Sequence, residues 1–426
     1  MTSSPPRLVI PATRPVDVTT SVPGSKSVAN RALVCAALAR GTSLLHGVPI
    51  GDDADAMIDS LEALGVDIGR TGDVVRVVGC AGVLAGGSVN ARLAGTTSRF
   101  SLALGMCATD GVRVDGDETL RSRPMEPLLA ALRDVGCTVE SNDGRLPAMV
   151  QGPARVDTAA IRGDISSQYI SALMMAGAVL PAGLSLTLTS ELVSRPYVEL
   201  TEHVMHLFGH ESVSVSADQV QIGPGGYTAT EMSIEPDASS ASYPLALVGL
   251  IAGRVTVSGL GTNSHQGDAI FGDILGAMGV AVEIEDDSIT AHHGGGPLTP
   301  ININLADASD LVPTVAVLAA VADGTTTLRG IGFIRGKESD RIADVASLLA
   351  AFGVDAVPGD DDLTIHGQGG RNLRAPHHPV ATHHDHRLAM AAGLLGTRTG
   401  STLIDDPDVV AKSWPEFWEA LTTWTQ

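Results

Sequence analysis

Cationic and hydroxyl side chains recur in this 426-residue chain where a helix is about to begin, the local setting in which free backbone amides favour anions. Pro23-Gly24-Ser25-Lys26-Ser27, followed by Asn30-Arg31, puts Lys26, Ser27 and Arg31 on a loop and first turn. Gly24 lets that backbone bend, and the two cations can face an anionic ligand. The phrase lacks the spacing of a nucleotide-binding phosphate loop, so Lys26 alone reads equally as a ligand contact or a solvated loop lysine. Arg335-Gly336-Lys337-Glu338-Ser339-Asp340-Arg341 gathers three cations and two carboxylates just before a helix. Its plainest reading is a charged capping box, with Ser339 as the cap and Asp340 in the first turn. Asp385-His386-Arg387 opens an otherwise apolar helix, and unpaired charge beside buried surface is costly, which favours a functional role. Ser166-Ser167-Gln168 offers two hydroxyls and an amide to a phosphate, or equally a helix cap. Arg123, Lys412 and Tyr197 each stand beside a proline-fixed turn, Tyr197 following Ser194-Arg195-Pro196, and singly read as surface residues. The histidines at 377, 378, 383, 384 and 386 mix a loop with a helix start and have no zinc spacing, so no metal is expected.

The elements that must position these groups repeat. Six phrases of small and polar residues, at intervals of about seventy residues, each precede an Ala- and Leu-rich run: those at Lys26, Gly95, Ser166, Asp237-Ala238-Ser239-Ser240, Asp307-Ala308-Ser309-Asp310 and His386. A β-rich stretch such as Gly324-Thr325-Thr326-Thr327-Leu328 follows, then in most copies an amphipathic run ending on Leu64-Gly65-Val66, Met278-Gly279-Val280 or Phe352-Gly353-Val354. Each unit therefore reads strand, helix, strand, helix, strand, with the glycine as helix stop. The runs Arg31 to Leu38, Tyr169 to Val179, Tyr243 to Ile251 and Val312 to Val321 are apolar nearly all round and are expected to be buried helices. Asp53 to Leu64, Met125 to Val135 and Ser339 to Phe352 alternate charge with apolar residues and read as outer covers.

Length favours two domains of about two hundred residues. A net charge of −21 argues against nucleic acid, since a polyanion track requires clustered Lys and Arg. Positive charge used for function must be local. Four cysteines, Cys35, Cys80, Cys107 and Cys137, lie far apart without paired metal spacing, and the start reads as a polar tail rather than a leader, which fits a reducing cytoplasm. The uncharged stretch Ile165 to Ser190 is long enough to span a bilayer, but its polar start and Pro181-Ala182-Gly183 divide it into a buried helix and a strand, so no membrane is expected.

The ordered set of motifs, from Pro23-Gly24-Ser25-Lys26-Ser27 to Ala411-Lys412-Ser413-Trp414-Pro415, resembles the enolpyruvyl transferase family over nearly the whole chain, and within it the 5-enolpyruvylshikimate-3-phosphate synthases. The resemblance implies an α/β fold: a two-domain inside-out α/β barrel, each domain of three βαβαββ repeats around buried helices, closing over an interdomain cleft that holds the active site. The chain would begin in one domain, cross early to the other and return, giving 1–22 plus 236–426 as the first domain and 23–235 as the inserted second. The implied reaction moves the carboxyvinyl group of phosphoenolpyruvate to the 5-hydroxyl of shikimate 3-phosphate, releasing phosphate by addition and elimination in chorismate and aromatic amino acid biosynthesis. No cofactor is implied, and a monomer is expected. Two phosphates and two carboxylates in one site call for about four to six cations while the rest of the protein stays acidic.

Carried over residue by residue, Lys26, Gly95, Arg123, Gln168, Arg341, Arg387 and Lys412 match the family's phosphoenolpyruvate contacts. Ser27, Arg31, Ser166, Ser167, Gln168, Ser194, Tyr197, Asp310 and Lys337 match positions around shikimate 3-phosphate. Asp310 is the candidate base for the 5-hydroxyl; Glu338 and Lys26 are candidates for proton transfer at the methylene carbon and the departing phosphate, with His386 nearby. The copy at Asp237 carries no group assigned to the reaction. Two positions depart from the family pattern: Leu93 stands where an Asn is common, and Phe333 where an Asn often contacts the acceptor. Phe333 keeps open an enolpyruvyl transferase with another phosphorylated acceptor, such as a nucleotide. A UDP-N-acetylglucosamine enolpyruvyl transferase fits less well, since Ser27 stands where Asn is usual and Glu118 where a catalytic Cys is expected. A binding protein without catalysis would not need the proton-transfer carboxylates.

Overall fold

The computed structural model describes residues 5–426, and the chain divides into two compact units. One is Gly24–Glu235; the other joins the segment ending at Pro23 to Pro236–Gln426.

The unit Gly24–Glu235 contains helices α1 (Lys26–Leu38), α2 (Asp52–Ala63), α3 (Gly95–Leu104), α4 (Glu126–Asp134), α5 (Ser167–Gly177) and α6 (Arg195–Leu207). Its repeat is plainest in the sheet around α3. Gly87–Asn90 runs parallel to Val112–Asp115, which pairs antiparallel with Arg145–Gln151, itself paired antiparallel with Thr138–Asn142. Thr158–Ile161, Leu184–Leu188, Gln219–Ile222 and Val213–Val215 repeat that order. The remaining sheet takes its leading strand from the far end of the unit, where Glu231–Ser233 lies parallel to Ala39–His46. The reason is topological: the chain enters at Gly24, directly ahead of α1, so the strand that precedes the helix in the other repeats must be supplied from elsewhere. Every residue of α1 from Val28 to Leu38 is buried, and α5 is buried except at Gln168, as their all-round apolar character dictates. In α4, by contrast, only Leu128, Leu129, Ala131 and Leu132 are buried, the single stripe of an outer helix.

The second unit contains α7 (Ala238–Ile251), α8 (Phe271–Ala277), α9 (Val312–Ala319), α10 (Arg341–Ala351), α11 (His386–Thr399) and α12 (Phe417–Thr425). Val16–Thr20 lies parallel to Gly253–Ser258, and Ser288–His293 and Ala281–Ile284 complete that sheet antiparallel. Asn302–Asn304, Asp323–Arg329, Asp362–Gln368 and Asp355–Pro358 form the next in the same order. The third repeat is abbreviated: Thr402–Ile404 pairs antiparallel with Arg7–Val9, and Val380 forms a parallel bridge to Ile404. There α12 buries Phe417, Trp418, Leu421 and Trp424. Helices α7 and α9 are buried on all faces, save Ile251 at the end of α7.

Two glycines show how tightly strands lie on inner helices. A Cβ at Gly79 would sit 2.2 Å from the carbonyl oxygen of Ala39, and one at Gly367 would sit 2.4 Å from that of Ala319. The two hold corresponding places in the two units, where only glycine leaves room for the strand to cross the helix end.

Candidate active site

In the second unit the heads of α9, α10 and α11 carry the charged residues. Asp310 lies in the 3-10 turn Ser309–Leu311, which leads into the apolar α9. Its Oδ1 accepts from Lys337 Nζ at 2.7 Å and Arg341 Nη1 at 2.7 Å, and its Oδ2 accepts from Arg387 Nη2 at 2.8 Å. Burial works against ionisation of Asp310, yet Arg387, Lys337 and Arg341 outweigh it and hold the carboxyl well below the usual range. Burial lowers Lys337 in spite of Asp310. Arg341, 1% exposed, also donates through Nε to Asp385 Oδ2 at 2.7 Å and through Nη2 to Glu338 Oε2 at 2.9 Å. Burial opposes its charge, but the three carboxylates raise it above the ordinary arginine value. Lys412 donates to Glu338 Oε1 at 3.1 Å. Four cations thus meet three carboxylates, a pairing that buried charges require.

The cap of α10 differs from the sequence expectation. Asp340, not Ser339, is the N-cap: its side chain accepts from Ala343 N at 3.1 Å, and the helix begins at Arg341. Asp340 is fixed there by Arg335, whose Nη1 lies 2.6 Å from Oδ2. Asp385 caps α11, accepting from Arg387 N at 2.9 Å, so the charged triplet is a cap and an ion-pair partner together. His386 is buried, its Nδ1 3.7 Å from Asp385 Oδ1. Phe333 packs its ring 5.8 Å from Lys337 Nζ, a cation–π contact.

In the unit Gly24–Glu235, Ser25 caps α1 and Lys26, its first residue, donates to Asp53 Oδ2 at 2.8 Å. Gly95 opens α3, where a Cβ would stand 2.6 Å from Arg99 Nη1 and 3.1 Å from Arg123 Nη1. Its lack of a side chain lets two guanidinium groups close on the head of that helix. Arg99 donates to Gln168 Oε1 and lies 5.3 Å from the Tyr169 ring centroid. Ser166 caps α5, accepting from Gln168 N at 3.3 Å, and Ser167 is buried beside it. Gly95, Arg99, Arg123 and Gln168 therefore form one group. Contrary to the surface reading of single residues, Arg123 is 6% exposed and Lys412 7%.

Arg31 does not stand beside Lys26 as a second outward cation. It is buried, donating through Nε to Thr201 Oγ1 at 2.7 Å and through Nη1 to Ser27 O at 2.8 Å. Its Nη2 serves Ser171 Oγ at 3.2 Å and Tyr197 O at 3.0 Å, and burial lowers it to about 10. Arg31 thus ties Ser27 and Tyr197 to one point. Ser194 heads α6 in the left-handed region, with φ 53° and ψ 44°.

The family model for EPSP synthase (3-phosphoshikimate 1-carboxyvinyltransferase) matches residues 10–421. The chain belongs to that family. A 3-phosphoshikimate 1-carboxyvinyltransferase of Methanosphaerula palustris is 39% identical over 416 residues, covering 96% of each chain. One from Methanothermobacter thermautotrophicus is 37% identical over 95% of this chain and 94% of its own. The solved EPSP synthase of Acinetobacter baumannii superimposes with a TM-score of 0.83 at 26% identity, covering 99% of this chain and 98% of that one. Among the described residues, no three His, Cys, Asp or Glu side chains are grouped to hold a metal ion, and no helix is long and apolar enough to cross a membrane.

Arg99 and Asp53 escaped the sequence reading, and Asp385 was read only within its charged triplet, without a partner. Arg99 stood inside a repeated phrase, and an arginine on an otherwise inward-facing helix was the available signal. Asp385 stood at a cap position, where its second oxygen could serve another group. Asp53, partner to Lys26, sits in an acidic first turn and gave no distinguishing signal.

Proposed function

We propose that this chain transfers the carboxyvinyl group of phosphoenolpyruvate to the 5-hydroxyl of shikimate 3-phosphate, the reaction for which its relatives are named. The observation that carries the reading is the convergence of Lys337, Arg341 and Arg387 on Asp310, with Glu338 between Arg341 and Lys412. In a protein of net charge −21 such a concentration of cations suits two ligands that each carry a phosphate and a carboxylate.

Arg341, Arg387 and Lys412, with Lys26, Arg123, Gly95 and Gln168, are assigned to phosphoenolpyruvate. Lys337, Ser27, Ser166, Ser167, Ser194 and Tyr197 are assigned to shikimate 3-phosphate, with Arg31 acting through Ser27 and Tyr197. Residues of both units are thereby assigned to one substrate pair. In the addition step Asp310 takes the proton of the 5-hydroxyl as its oxygen bonds to the central carbon of phosphoenolpyruvate, and a proton passes from the Lys412 ammonium through Glu338, the carboxylate it is bonded to, onto the methylene carbon. In the elimination step that carbon returns the proton to Glu338 and the bond between the central carbon and the phosphate oxygen breaks, with Lys26 on the departing phosphate and His386 close by. The ionised state of Asp310 suits a proton acceptor, and its basicity rises when anionic ligands draw the surrounding cations to themselves. The cationic groups offset charge in both steps. We further assign a monomer working in the cytoplasm, a setting that the four free cysteines suit. The test is mass analysis of shikimate 3-phosphate incubated with phosphoenolpyruvate and this protein. A carboxyvinyl adduct with one phosphate released supports the reading, and unchanged acceptor opposes it.

A further inference from the structure

The repeated phrase at Asp237-Ala238-Ser239-Ser240, the head of α7, is left unused by that reaction. Asp237 caps the helix through Ser240 N at 2.7 Å, and Gln266 locks the approach by accepting from Ala238 N at 3.1 Å and donating to Pro236 O at 2.7 Å. Ser239 Oγ donates to Asp268 Oδ2. Asp268, in the 3-10 turn Gly267–Ile270, is only 2% exposed, and its Oδ1 has no hydrogen-bond partner among the described residues. In the same region the buried Tyr243 hydroxyl lies against the Arg387 guanidinium. A buried carboxyl oxygen left unpaired is costly, so Asp268 in a well-packed interior calls for a reason.

We propose that Asp268, anchored on Ser239, is a positioning residue that sets the charge balance of the Arg387–Asp310 pair. This inference rests on the reaction proposed above. Arg387 is the shared cation: it is bonded to Asp310 and attracts Asp268, while the two carboxyls repel each other. Asp310 holds three cationic donors, and Asp268 has one hydroxyl. The negative charge therefore resides on Asp310, and Asp268 retains its proton: burial first, then the charge of Asp310, pushes the Asp268 carboxyl up to about 7. The other groups facing it are Arg387 and Ser239, which favour its ionisation, and Asp237, which opposes it; Asp273 on the neighbouring α8 is exposed. While neutral, Asp268 leaves Arg387 to Asp310 and to an anionic ligand. Once ionised, it competes for the same guanidinium.

The experiment compares wild type with Asp268→Asn, measuring KM for phosphoenolpyruvate at saturating shikimate 3-phosphate between pH 6 and 8.5. Ionisation of phosphoenolpyruvate is common to both and cancels in the ratio of wild-type to variant KM. That ratio should rise about threefold or more through neutrality, a structural defect alone giving a constant ratio. Ser239→Ala, lacking the hydroxyl that favours the carboxylate, should move the midpoint to higher pH. A ratio flat with pH overturns the proposal. Urea unfolding provides a readout independent of turnover: stability of Asp268→Asn relative to wild type should increase from pH 4 to 7, and a constant difference also overturns the proposal. Absence of turnover in wild type would instead sink the assigned reaction, leaving the unfolding comparison to decide the role of Asp268.

Discussion

Arg341 and Asp385 join the heads of two helices. The Nε of the first residue of α10 donates at 2.7 Å to one oxygen of the residue that caps α11, and the other oxygen of that carboxylate accepts from Arg387 N at 2.9 Å. Asp385 is wholly buried, so the fold and the cation cluster depend on the same side chain.

Asp385→Ala should therefore destabilise the protein by about 3–5 kcal/mol, the usual result of leaving one partner of a buried ion pair behind. Chemical denaturation of the variant checks this. A change within about 0.5 kcal/mol, typical of surface substitutions, would show that the pair is not structurally important.

Asp310→Asn should lower turnover by about a hundredfold or more if Asp310 is the base, since an amide cannot accept the proton. Steady-state rates at saturating substrates decide it, and near-normal rates remove Asp310 from that role.

Acid should act through the same residue. The Asp310 carboxyl lies well below its ordinary value in the folded protein, so its contribution to stability is present above the ordinary carboxylate range and is lost as pH falls through the depressed value. The stability advantage of wild type over Asp310→Asn should thus shrink from pH 7 to pH 3 in urea unfolding. An advantage that holds constant would contradict the ionised state assigned here.

Gly95→Ala should fold, because the added methyl meets the flexible ends of Arg99 at 2.6 Å and Arg123 at 3.1 Å rather than backbone. Those guanidinium groups must shift, and a misplaced charged contact costs about 1.5–3 kcal/mol, which should raise KM for phosphoenolpyruvate about tenfold or more. Equal KM values for the variant and wild type would detach this helix head from the donor.

Much of this architecture was legible in the sequence because burial on all sides leaves a plain mark. The runs in α1, α5, α7 and α9 carry almost no charge, and nearly all their residues are buried. The abbreviated third repeat was not legible, since it depends on Arg7–Val9 returning to pair with Thr402–Ile404 from the other end of the chain. The cap of α10 was misread by one residue because Ser339 and Asp340 are both good caps; the Arg335 ion pair favours the aspartate. Arg31 read as an outward cation because its partner Thr201 is 170 residues away, and only the tertiary fold brings them together. Arg387 was legible as a charge set against an apolar helix, whereas Lys337 and Arg341 read as part of a charged capping box and, like their common partner Asp310, were assigned only through the family resemblance.

Acceptor choice and carboxyvinyl transfer are read together by phosphate release from phosphoenolpyruvate with shikimate 3-phosphate, UDP-N-acetylglucosamine or a nucleotide offered in turn. The assigned reaction requires release with shikimate 3-phosphate alone. Release with either of the others, and none with shikimate 3-phosphate, would contradict it.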